Sequence, residues 1–111
     1  VILHIVTTAG WPADEITPLD GDEFVHCSDP GTVHLPADRL FAGRTDLLLL
    51  EVDPARLGVP LRWEAGSPPI PGGPWFPHVY GPIPASAVVG VHEFPPGPDG
   101  TFELPAALAQ R

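Results

Sequence analysis

The sequence predicts a strand-rich α+β fold with one main helix, and three observations predict it. Short β-branched, leucine-rich or aromatic runs recur at residues 1–7, 23–27, 47–53, 60–64, 75–80 and 87–94. Glycine and proline cluster between or after them, at residues 66–77 and 95–100, as loops joining strands do. One stretch only, from Ser28 toward Phe41, carries a helix start signal ahead of enough residues for several turns.

Taken in order, residues 1–7 are β-branched and apolar and predict a buried strand. Residues 9–18 carry Asp14 and Glu15 where a first helical turn prefers acids, and admit at most a short helix. An acidic loop over 19–23 leads into a second strand, 23–27. Ser28 then precedes Asp29-Pro30, a capping residue followed by an early proline, and a helix should run toward Phe41. Pro36 lies inside that stretch and is expected to kink or restart it, and Gly43 should stop it. The clearest strand is 47–53, where four consecutive leucines imply burial on both faces. A turn, of one helical turn at most, covers 53–58. A short strand follows at 60–64, then a Pro/Gly loop through Gly73. Strands at 75–80 and 87–94, a further one at 101–104, and a short helix or frayed end over 105–111 complete the chain. No repeat or internal boundary divides it, so a single domain is expected over residues 1–111.

Fourteen acidic residues face five arginines and no lysine, for a formal charge of −9. A nucleic-acid surface needs a basic patch to neutralise phosphates, and none is present, so nucleic acid is not expected as a partner. An anionic membrane surface is disfavoured for the same reason. The longest uninterrupted aliphatic run, Leu47 to Leu50, is far below the ~20 residues of a membrane span. Cys27 is the only cysteine, so no disulfide forms within the chain. The start shows neither an initiator Met nor a basic flank ahead of an apolar stretch, so a trimmed, cytoplasmic chain is expected. The sequence leaves the oligomeric state unknown.

The chemistry centres on His4, His26 and His78, each inside a different predicted strand. An interior imidazole needs a hydrogen-bond partner or a ligand. One alone reads as a satisfied core histidine; three on separate strands suggest a shared pocket. They could assemble a three-histidine zinc or iron site, although no local metal motif is present. Cys27 cannot be activated by adjacent His26, because neighbouring strand residues point to opposite faces, and it reads as a small buried hydrophobe. His26 and Ser28 share a face. His34 reads as a surface or partly buried helical residue, and His92 as facing solvent. Glu51, Glu64 and Glu93 lie at or near strand ends, where each is a solvated acid or, beside an apolar pocket, a candidate acid, base or cation stabiliser. Arg44 could clamp a phosphate or carboxylate, or pair with Asp46. Trp11, Trp63, Trp75, Phe76 and Tyr80 offer flat faces for stacking and are equally candidates for the core.

The blocks Phe24-Val25-His26-Cys27-Ser28, Phe41-Ala42-Gly43-Arg44-Thr45-Asp46 with the leucine run behind it, Leu61-Arg62-Trp63-Glu64 and Phe76-Pro77-His78-Val79-Tyr80-Gly81-Pro82, after His4 in the first strand, resemble the domain-of-unknown-function 952 family. The resemblance covers about residues 2–94, leaving 95–111 as a C-terminal extension. That family is bacterial and plant, and is grouped by fold with the ADP-ribosyltransferase-like proteins. The resemblance implies a split, mostly antiparallel sheet with a cleft between its halves for NAD or an ADP-ribosylated ligand. It places His4 against a ribose, His26 and Ser28 along the cleft, and His78 with Tyr80 on the opposite wall. Glu64 or Glu93 would stabilise positive charge on the ribose, and Arg44 and Arg62 are the basic residues available to a pyrophosphate.

Four functions follow as expectations. The leading one is an enzyme of glycosyl- or ADP-ribosyl-transferase type, acting on NAD, ADP-ribose or another ribosyl or polar metabolite. Its catalytic candidates are His4, His26, His78, Glu64 and Glu93; its ligand-binding candidates are Ser28, Arg44, Trp63, Phe76 and Tyr80. The others are a non-catalytic small-molecule-binding or accessory protein, a metal-dependent enzyme and a structural or interaction protein. Ligand stabilisation without turnover would mark the binding protein, bound metal the metalloenzyme, and a pocketless fold the structural role.

Overall fold

A computed structural model describes residues 1–66 and 69–109. Among these the chain forms strands β1 (Ile2–Thr7), β2 (Glu15–Ile16), β3 (Val25–His26), β4 (Leu47–Val52), β5 (Leu61–Ala65), β6 (Trp75–Val79), β7 (Ile83–Pro84) and β8 (Val88–Glu93). Helix α1 spans His34–Leu40 and α2 spans Ala106–Ala109. The strands assemble into sheets ordered β1-β4-β8, β3-β6-β5 and the small pair β2-β7, with every pairing antiparallel. Leu3 and Ser28 exchange two backbone hydrogen bonds of 2.7 Å, so the outer edge of β1 meets the chain two residues past β3 at a single bridge.

β4 is the central strand of its sheet, which is why its leucine run is tolerated: both faces are covered. Leu47 and Leu49 pack with Leu3, Val33, Ala37, Phe94, Phe102 and Leu108. Val52 belongs to a second cluster with Ile2, Val25, Cys27, Val79, Ile83 and Ala87. The two clusters lie on either side of the β1–β4 pair, whose register sets Leu3 against Glu51 and Ile5 against Leu49.

Several expectations are corrected. Residues 9–18 hold only a 3₁₀ turn at Thr8–Gly10 before β2, which pairs with β7 instead of coiling. Prolines at positions 12 and 18 bracket the segment and remove two donors a helix would use. The second strand is reduced to Val25–His26. The helix begins at His34, later than Asp29-Pro30 suggests, because the Asp29 carbonyl accepts from Thr32 and Val33 in a turn that comes first. Pro36 is then the third helical residue, in the first turn where a missing N–H is harmless, so it neither kinks nor restarts the helix. Gly43, at φ +86°, follows its end as expected.

Residues 101–104 form no strand. Phe102 enters the core from irregular backbone, 2 % exposed, with its N–H donating to Asp38 Oδ1 at 2.7 Å. Phe94, Phe102 and Leu108 all sit in the first cluster, so the C-terminal extension closes a core that β1, β4 and α1 leave open. The expected Pro/Gly loop at 67–68 and the last two residues of the tail, 110–111, lie outside the described residues.

Candidate functional site

A cavity of about 730 Å³ opens beside the edge of β1, between that strand, α1 and the β3–β6 pair. β-sheet alternation supplies its polar wall. His26 lies directly opposite His78 in the β3–β6 register, and Arg62 directly opposite His78 in β5–β6. These residues, with Glu64 and Phe76, therefore share one face of that sheet. His4 reaches the same cavity from β1, and all three histidines line it together with Ser28 and Phe76.

Each imidazole is anchored through one nitrogen. Nδ1 of His4 lies 2.7 Å from the His26 carbonyl oxygen, which can only accept, so this nitrogen carries the proton. His26 Nε2 donates to Asp22 Oδ2 at 3.1 Å. His78 Nδ1 donates to Glu64 Oε1 at 2.9 Å, and Tyr80 donates its hydroxyl proton to the same oxygen at 2.6 Å. In the neutral rings this leaves His4 Nε2, His26 Nδ1 and His78 Nε2 as lone-pair acceptors. The His26 and His78 rings stand edge to face with centroids 5.6 Å apart, and Phe24 stacks on His78 at 3.9 Å and 17°.

Electrostatics sharpen the arrangement. Burial is the main influence holding His4 below the usual histidine range, so its ring is neutral. The Glu64 carboxyl is held below the usual carboxylate range, first by the Tyr80 hydroxyl and then by His78. Tyr80 is raised in turn, chiefly by that hydrogen bond. Burial pushes the Cys27 thiol up to about 12, which removes the thiolate from any physiological role.

The remaining candidates separate. Tyr80 and Glu64 support His78 from behind and do not themselves line the cavity. Trp63 points to the opposite face of β5 from Glu64 and is 45 % exposed. Arg44 is held outside by a two-pronged contact with Asp46, at 2.8 and 2.6 Å. Arg62 lies over the Tyr80 ring, 4.8 Å from its centroid. Glu93 is exposed on β8, opposite Leu48 and away from the histidines. The carboxylates that meet the imidazoles are Glu64 and Asp22.

Two readings of carboxylate and histidine are overturned. Glu51 is 1 % exposed instead of solvated, and His92 does not face solvent: its Nε2 contacts Glu51 Oε1 at 2.5 Å. Among the described residues no three of His, Cys, Asp and Glu are grouped to hold a metal ion.

Arg39, Asp22 and Phe24 were missed from sequence. Arg39 lines the cavity four residues after Leu35 on α1, a helix-face pairing visible once the helix is started at His34. Phe24 is two residues before His26, and that alternation was the available signal. Asp22 lies in an irregular loop, where no spacing announces its contact.

A histidine-lined cleft between antiparallel half-sheets is thus the site that defines the class, a small α+β domain. The family described as "Protein of unknown function (DUF952)" matches residues 5–91, and the chain belongs to it. The X-ray crystal structure of protein CC0527 from Caulobacter crescentus is similar at 31 % identity over 97 % of each chain, with a TM-score of 0.81. A double methionine mutant of the same protein gives 30 %, 97 % of each chain and 0.81. Its solution NMR structure gives 31 %, 99 % of this chain, 97 % of that one, and 0.78. No curated protein matches the sequence. None of the described helices is long and apolar enough to cross a membrane.

Proposed function

We propose that this chain is an enzyme acting on a small ribosyl-containing, or comparably hydroxylated, metabolite in the histidine-lined cleft. The chemistry is glycosyl transfer or hydrolysis of the kind suggested by the resemblance to the ADP-ribosyltransferase-like proteins. One observation carries the reading: His78, 3 % exposed, has Nδ1 fixed on an ionised carboxylate while its ring lines the cavity. That is a general base with its tautomer set by a partner, the arrangement by which a carboxylate orients an imidazole and stabilises the imidazolium that forms.

In the proposed step a water or acceptor hydroxyl gives its proton to His78 Nε2 as its oxygen bonds to the anomeric carbon. The bond to the leaving group breaks with its electron pair departing on that group. Glu64 stabilises the positive imidazole, and Tyr80 keeps Glu64 in place. His4, neutral by burial, and His26 accept hydrogen bonds from sugar hydroxyls.

NAD and ADP-ribose fit less well than the sugar alone. Among the described residues the cavity lining holds a single guanidinium, Arg39, against the two phosphates of such a ligand, and Arg44 and Arg62 do not line it.

The test is release of p-nitrophenol from p-nitrophenyl β-D-ribofuranoside. Wild type is expected to release it; His78→Gln should lower the rate by a factor of about 10²–10⁴, the range of a positioned general base. An inactive wild type, or a His78→Gln rate equal to it, overturns the proposal.

A further inference from the structure

We infer that the ligand of this cleft is an uncharged amphiphile, with a hydroxyl-bearing head at the histidines and an apolar tail, and not a phosphate-bearing nucleotide. The inference rests on the reading of the cleft as a sugar site and adds the nature of what the sugar is attached to.

The first observation is the far side of the cavity. Leu19, Leu35, Leu40 and Ile70 all line it, yet they are 73 %, 43 %, 65 % and 67 % exposed. Single exposed leucines are ordinary on a protein surface. Here four large aliphatic side chains converge on one cavity from three separate places: the loop before β3, helix α1 and the β5–β6 connection. Each holds apolar surface in water that a bound chain would cover. A volume of about 730 Å³ lies within the range of roughly 300–1,000 Å³ that takes a small ligand.

The second observation concerns charge and proton direction. In their neutral forms the three imidazoles spend their N–H groups on a carbonyl and two carboxylates, leaving acceptor nitrogens. An acceptor nitrogen is complemented by an O–H, not by a phosphate oxygen. Asp22 and Glu64 stand directly behind two of the rings, and the chain carries a formal charge of −9. Among the described residues the cavity lining carries one cation, Arg39 on α1, and Arg62 lies over the Tyr80 ring; at the histidines an anion meets lone pairs and carboxylates, whereas a polyol meets partners.

The test is calorimetric binding of methyl, butyl and hexyl β-D-ribofuranoside, with hexyl phosphate and ADP-ribose as charged competitors. Affinity should rise about fourfold per added methylene, the factor equivalent to burying each one. Leu40→Asp with Ile70→Asp, both exposed, should flatten that rise. Affinity independent of tail length, absent binding of the hexyl riboside, or tighter binding of ADP-ribose or hexyl phosphate each overturns the inference. A tail-dependent series without release of p-nitrophenol supports the amphiphile and removes only the catalytic reading. Release with a flat series does the reverse.

Discussion

Replacing Phe102 by alanine tests whether the C-terminal extension belongs to the fold. Phe102 is 2 % exposed, sits 5.1 Å from the Phe94 ring between centroids, and packs among Leu3, Val33, Ala37 and Leu49. Removing a fully buried phenyl ring loses its transfer free energy and leaves a void, together about 3–5 kcal/mol. A chain of 111 residues has a total stability of about 5–17 kcal/mol, so the loss is a large part of the whole. Urea unfolding should show a midpoint drop at unchanged m-value, and the melting temperature should fall by about 12–20 °C. The Asp38 carboxylate would still hold the backbone N–H of residue 102, so the loop stays docked and the effect reports the ring. A loss under about 1 kcal/mol would mean that the Phe102 ring does not close this core.

Two further outcomes follow from Glu51, which is buried, and His4, which is partly so. A Cβ added at Gly90 would stand 2.5 Å from Glu51 Oε1 and 2.9 Å from Cδ, so Gly90→Ala must displace the buried carboxylate from His92. The expected loss is about 3 kcal/mol by urea unfolding, and a near-neutral result would show that Glu51 has somewhere else to go. His4 is held below the ordinary 6.5, so on acidification the unfolded chain takes up a proton that the folded chain refuses. That contribution to stability is complete above pH 6.5 and declines as the pH falls below it; His4→Gln should flatten this part of the pH profile, and an unchanged slope would refute the assignment.

Much of the fold was legible because strand burial leaves a periodic trace. β4 was recognisable from Leu47 to Leu50, and β6 and β8 from their hydrophobic runs and flanking turn residues. The two-residue pairing of β2 with β7 left no such trace, since neither segment is long enough to show alternation. Phe102 looked like a strand residue because its apolar neighbours suggested one; its actual place was set by a core vacancy and by the hydrogen bond its N–H donates to Asp38, on a helix distant in sequence. Pro36 looked like an interruption only while the helix was started too early.

The site divides along the same line. Residue chemistry alone singled out His4, His26 and His78, because imidazoles within hydrophobic strands require partners wherever they fall. Which atoms answer them was decided in three dimensions: the antiparallel register of β5 with β6 puts Glu64 within reach of His78, while Glu93, chemically its equal, is carried away on β8. Sequence fixes what each side chain can do and which face of its strand it occupies. Only the packing of one strand against another fixes its neighbours, because those contacts join residues with no local spacing to record them.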